Sequence, residues 1–130
     1  MTVSNMKTTL NSNIKDVWEI VTSLENYAWR SDISRIEIVN EKQFVEYTKD
    51  DYPTTFTITV KEPYRYEFDM DNSNMSGHWT GIFNQLADGV EIDFTEDVTA
   101  KKVFMKPFVK GYLKKQQETY VNDLKKALCK

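Results

Sequence analysis

From residue 64 to residue 71 the chain alternates without a break. Tyr64, Tyr66, Phe68 and Met70 hold one parity, and Arg65, Glu67, Asp69 and Asp71 hold the other. A period of two sends these sets to opposite faces of a strand, one dry and one wet, as an antiparallel sheet requires. Thr54 to Val60 repeats the pattern, with Phe56, Ile58 and Val60 opposed to Thr55, Thr57 and Thr59. It returns after Asp88-Gly89, a hairpin dipeptide, as Val90, Ile92 and Phe94 against Glu91, Asp93 and Thr95. Further strands are predicted over residues 2–10, with Val3, Met6, Thr8 and Leu10 inward, and over Ile33 to Val39, Gln43 to Thr48 and Met75 to Leu86. In the last of these both parities carry apolar groups. His78, Thr80, Ile82 and Leu86 share one face and Trp79, Gly81 and Phe83 the other, so the pattern leaves the inner face open.

Helical periodicity appears twice. Ile14, Val17, Trp18 and Val21 recur at i, i+3, i+4 and i+7 behind Asn11-Ser12-Asn13, a cluster suited to capping. A second short helix is predicted over Leu24 to Tyr27. Near the C-terminus Pro107 suits a first turn, and Val109, Leu113, Tyr120, Leu124 and Leu128 form an apolar stripe. Lys110, Lys114, Lys115, Lys125 and Lys126 fall on the far side, so the helix is amphipathic and needs the sheet as cover. The predicted fold is α+β, one domain over residues 1–130. An antiparallel sheet of about seven strands wraps a long C-terminal helix, with two short helices after strand one.

Composition adds an aromatic interior and a charge asymmetry. Three Trp, seven Tyr and seven Phe in 130 residues furnish either a well-filled core or the walls of a pocket. Seventeen basic and twenty acidic side chains give a net charge of −3. Residues 101–130 carry nine Lys against Glu118 and Asp123, or +7, which leaves −10 for the first hundred residues. The basic helix either complements the acidic sheet or contacts an anionic partner. The single cysteine, Cys129, makes no internal disulfide, and the chain reads as cytoplasmic. No apolar run reaches the length of a membrane span, and no DNA partner is expected.

Several local sequences, in this order, resemble a known family. Ile14-Lys15-Asp16-Val17-Trp18 resembles its first helix, and Tyr27-Ala28-Trp29-Arg30-Ser31-Asp32-Ile33 its Trp-containing link into strand two. Glu62-Pro63 resembles its turn, and Gly77-His78-Trp79 with Asp88-Gly89 its penultimate hairpin. The family is the START-like, or Bet v 1-like, superfamily of polyketide cyclase/dehydrase and lipid transport proteins (SRPBCC). The resemblance covers nearly the whole chain. It implies a helix-grip fold and a site for lipids, polyketides or aromatic molecules between sheet and helix. In some members it implies cyclase or dehydratase activity.

Candidate chemistry is sparse. His78 and Cys129 alone make no zinc site, and 69–74 lacks the glycine and distal acid of a calcium loop, so neither metal nor cofactor is expected. Phosphate-binding and nucleophile-elbow motifs are missing, and Cys129 lies too near the end to serve as a nucleophile. His78 is a candidate acid/base because it titrates near neutrality. Among Glu46, Glu96 and Asp97, Glu96 shares parity with Val90, Ile92 and Phe94, so it points inward unless the strand ends or bulges first. The candidate ligand-binding set is Trp18, Trp29, Tyr66, Phe68, Trp79, Phe83, Phe108, Tyr112, Gln116 and Tyr120. Of Gln116 and Gln117, beside the helical stripe, either holds a ligand's polar end or one bonds to backbone while the other is exposed. Binding of a hydrophobic or amphipathic small molecule accounts for most of these features. A metal-free cyclase/dehydratase and a module binding protein, ribosome or membrane through its basic helix are the alternatives.

Overall fold

The computed structural model describes residues 2–128, so the readings that concern Cys129 lie outside the described residues. Seven strands form one open antiparallel sheet: β1 (Thr2–Leu10), β2 (Ile33–Ile38), β3 (Gln43–Thr48), β4 (Pro53–Glu62), β5 (Arg65–Asp71), β6 (Met75–Leu86) and β7 (Gly89–Ala100). Their order is β1-β7-β6-β5-β4-β3-β2. Only β1 leaves its sequence neighbour, because α1 (Ile14–Thr22) and the loop after it carry the chain to the opposite edge. A 3₁₀ helix (Val103–Phe108) then runs into α2 (Val109–Leu128).

Local chemistry explains the elements. Asn13 caps α1, its side-chain oxygen accepting from the Asp16 amide at 2.9 Å. The expected second short helix does not form; residues 24–29 make bends and a turn. With Ser23 already extended and only four residues available, that segment is too short to nucleate on its own. In β6 the ambiguity resolves toward Trp79 and Phe83, both buried, with His78, Thr80 and Ile82 on the outer face. The Trp79 indole folds over Gly81, where any Cβ would collide with the ring, so a glycine is needed two residues along the inner row.

Three inward assignments change. Val3 is exposed and Ser4 takes the inner position, opposite Glu96. A bulge between Ile58 and Val60 sets Val60 opposite outward Glu67. The buried stripe of α2 runs Val109, Leu113, Gln117, Val121 and Leu124, spaced by three or four, with an amide at its centre. Gln117 is 3% exposed; it accepts from Ser4 Oγ at 2.7 Å and donates to the Ser4 carbonyl at 3.1 Å. Polar side chains were legible at both positions, but not that each satisfies the other across 113 residues. Gln117→Leu is expected to cost about 1–3 kcal/mol, because it leaves the Ser4 hydroxyl buried without its partner. Adding Ser4→Ala should recover part of that loss in urea denaturation, whereas strictly additive costs would show that the pair is not coupled.

The helix lies on β1 and β7. Phe94, Val90, Ile92, Leu10 and Val17 fill the layer beneath it, against Leu124 of the helix. The inner faces of β3 to β5 therefore lie beyond the helix contact, and their aromatic side chains border a cavity.

Candidate functional site

A cavity of about 180 Å³ lies between the inner sheet face, α2 and the loop after α1. Its wall is an aromatic relay. Phe44 and Phe56 stack with centroids 5.0 Å apart, Phe56 meets Phe68 edge-on at 5.1 Å, and Phe68 stacks on Trp79 at 4.8 Å. Trp79 reaches Phe94 at 4.8 Å, and Phe94 meets Tyr120 of α2 at 5.8 Å. Strand alternation places these rings on one face, and cross-strand pairing brings Phe44 beside Phe56 and Phe68 beside Trp79.

Seven residues of the expected ligand set border this cavity: Trp29, Tyr66, Phe68, Trp79, Tyr112, Gln116 and Tyr120. Three stand elsewhere. Trp18 and Phe83 pack edge-to-face 5.2 Å apart in the core behind the cavity, where Trp18 also meets Tyr64 and Tyr66. Phe108 precedes the first buried position of α2, Val109, and points into solvent, 72% exposed. Gln116 donates to the Tyr112 hydroxyl at 3.2 Å at the cavity edge, while Gln117 is the structural amide of the pair.

The two acid/base candidates separate. His78 lies on the outer face, its ring nitrogens 2.7 Å from Asp69 and 2.7 Å from Glu67. Burial disfavours its charge, but the hydrogen bonds to Asp69 and Glu67 outweigh this and raise its pKa. It is an outer-face ion-pair residue, and its parity places it away from the cavity, where it lends no support to acid/base chemistry. Glu96 behaves oppositely. β7 stays regular to Ala100, so Glu96 lies on the inner face and borders the cavity. Its carboxyl has no hydrogen-bond partner among the described residues. Burial, and then the charge of Glu46, push it up to about 7. Asp97, one residue on, faces outward, and its Oδ1 is buried without a partner among the described residues.

A second polar group has the same character. The Tyr66 hydroxyl is buried and unpaired among the described residues, and its ring borders the cavity. Burial, with the Glu46 charge behind it, raises the Tyr66 pKa and keeps the phenol neutral.

At the rim stands a cation the sequence reading passed over. Arg30 donates from Nε and Nη2 to Asp32, both at 3.0 Å, and from Nη1 and Nη2 to Glu46 at 3.1 and 3.2 Å. The guanidinium sits 4.9 Å from the Tyr120 ring centroid and 5.8 Å from that of Trp29. The parity of Phe44, Glu46 and Thr48 contained the signal for an inward Glu46. Nothing periodic marks Arg30, which lies in a loop. Ser31 next to it donates from its amide and hydroxyl to Asp123 of α2 at 2.8 and 2.7 Å, tying that loop to the helix.

No cluster of three or more metal-ligating side chains occurs among the described residues. No helix among them is long and apolar enough to cross a membrane.

Solved structures with this architecture span nearly the whole chain. A START superfamily protein from Mycobacterium smegmatis superposes with a TM-score of 0.84 at 15% identity, covering 97% of this chain and 96% of that one. A conserved protein from Geobacillus kaustophilus gives 0.82 at 12% identity, with 98% and 95% covered. DynU16, from the dynemicin biosynthetic locus, gives 0.79 at 13% identity over 97% of this chain and 46% of its own. At such identities these likenesses speak for the fold. A search of curated proteins finds no match. The family model for polyketide cyclase / dehydrase and lipid transport matches residues 1–128, and the chain belongs to that family.

Proposed function

We propose that this protein binds a small apolar molecule bearing one polar group, in the cavity between sheet and helix. One observation carries the reading: the Glu96 carboxyl, inward and without a hydrogen-bond partner among the described residues, borders an aromatic-walled space, and Tyr66, whose buried hydroxyl also lacks a partner among them, belongs to the same wall. Buried polar atoms ordinarily find partners, and apolar pockets with a few placed polar groups are the common design for small ligands. At about 180 Å³ the cavity is near the ~150 Å³ of engineered sites that hold benzene. Its size favours a ligand of one ring or a short chain over a long acyl chain. A protonated Glu96 donates, which suits a carbonyl or ether oxygen on the ligand.

Titration with an environment-sensitive fluorophore such as ANS, and its displacement by aryl ketones and by palmitate, tests this directly. Saturable one-to-one displacement by the ketone is expected. Gln116→Trp, which fills the cavity edge, should weaken it about ten-fold. An absence of saturable displacement by any apolar probe would end the proposal.

Glu96 also favours a second reading, acid/base catalysis on a polyketide-like substrate. A carboxyl poised near neutrality is the property general acid/base chemistry needs.

A further inference from the structure

We propose that the segment leading into α2 docks on bilayers containing anionic phospholipid. Val103, Phe104 and Phe108 are 77%, 73% and 72% exposed, and Tyr112 one turn further is half-exposed. Four large apolar side chains on ten consecutive residues stand out, since singly scattered ones need no explanation whereas a contiguous patch does. They are held outward by a fixed frame. Val109 and Leu113 are buried against Val98, Met105 turns partly inward, and the Lys101 amide donates to the Asn74 carbonyl at 2.8 Å.

Charge selects the occupant. From Val98 to Gln117 the chain has six lysines, 101, 102, 106, 110, 114 and 115, and no acidic residue. Of these only Lys101 is in an ion pair among the described residues, with Asp71 at 2.6 Å; Lys102 bonds to the neutral Asn74 side chain. Lysines 106, 110, 114 and 115 are exposed, interleaved with the exposed aromatics. Aromatic side chains that enter the headgroup boundary, flanked by lysines whose ammonium groups reach phosphate, are what an anionic interface attracts. The surface also adjoins the cavity, because Tyr112 belongs to both. A molecule bound inside would therefore leave or enter beside the membrane.

Sedimentation with vesicles of phosphatidylcholine, with and without roughly 30 mol % phosphatidylglycerol, tests the inference. The protein should sediment with the anionic vesicles and not with the neutral ones, and about 0.5 M NaCl should release it. Phe104→Ser with Phe108→Ser, or Lys106→Glu with Lys110→Glu, should each lower partitioning about ten-fold. All four side chains are exposed, so urea midpoints and cavity binding of ANS should stay at the wild-type values, and a failure here is separate from a failure of the cavity reading. Equal binding to neutral vesicles, no binding at all, or a concentration-dependent dimer abolished by the Phe104/Phe108 variant would each overturn it. The last outcome would assign the face to a second copy of the chain.

Discussion

Arg30→Ala is expected to lower folding stability by about 3–5 kcal/mol, the cost of leaving buried charges without their partner. Asp32 and Glu46 share this one guanidinium, each through two hydrogen bonds, and the three side chains are 11%, 18% and 16% exposed in the order Arg30, Asp32, Glu46. Burial alone would disfavour the Arg30 charge, but Glu46 and Asp32 more than offset it. Removing Arg30 strands two carboxylates, forfeits the cation–π contact to Tyr120, and loosens the loop that Ser31 ties to Asp123. Arg30→Lys separates these effects. It keeps the charge but cannot make both forked contacts, so it should retain only part of the stability. Chemical denaturation of the three proteins checks this, and an Arg30→Ala loss under about 1 kcal/mol would mean the triad behaves as a solvated surface pair.

The same cluster shows where sequence reading succeeds and where it stops. Period-two runs located β4, β5 and β7, and the helical stripe located α2, because each buries one face and the sequence must say which. Where both faces carry apolar residues, as at His78 and Trp79, the signal vanishes, and only pairing with β5 and β7 decides the side. Glu96 was legible as inward on parity, provided that β7 stayed regular. Arg30 was not, because loop residues carry no period and one of its two partners, Glu46, lies on β3, sixteen residues away. Phe108 misled for a related reason: it has the composition of a pocket residue but sits one step before the buried stripe begins.

The asymmetry between wall and cover follows from packing. The apolar stripe of α2 is spent on β1 and β7, where Ser4 and Gln117 fix its depth. The aromatic faces of β3 to β5 pack on one another and not on the helix. A cavity results without any residue being removed from the core, and its polar groups are those strand residues whose parity points inward beyond the helix contact. Trp18 and Phe83 stand behind the wall, so changes there should act on stability and leave ligand preference alone.

Glu96→Gln is expected to stabilise the protein by up to about 3 kcal/mol at about pH 8 and to change little near pH 4. Burial and Glu46 raise the folded-state value to about 7, from an ordinary 4.5. Between those values the folded protein keeps a proton that the unfolded chain has released, so stability falls as pH rises through the window. Above about 7 the penalty of a buried carboxylate is complete; below the ordinary value both states are protonated and the penalty is gone. Glutamine resembles the protonated acid in shape and carries no charge at any pH, so it escapes the penalty only where the penalty exists. Urea midpoints of both proteins across this range provide the check, and a difference independent of pH would show that Glu96 is solvated. The variant also divides the two functional readings. Its amide still donates a hydrogen bond, so a protein that only binds should hold its ligand at pH 8 as well as or better than wild type. An acid/base catalyst would keep its affinity and lose its turnover, because the amide has no proton to exchange.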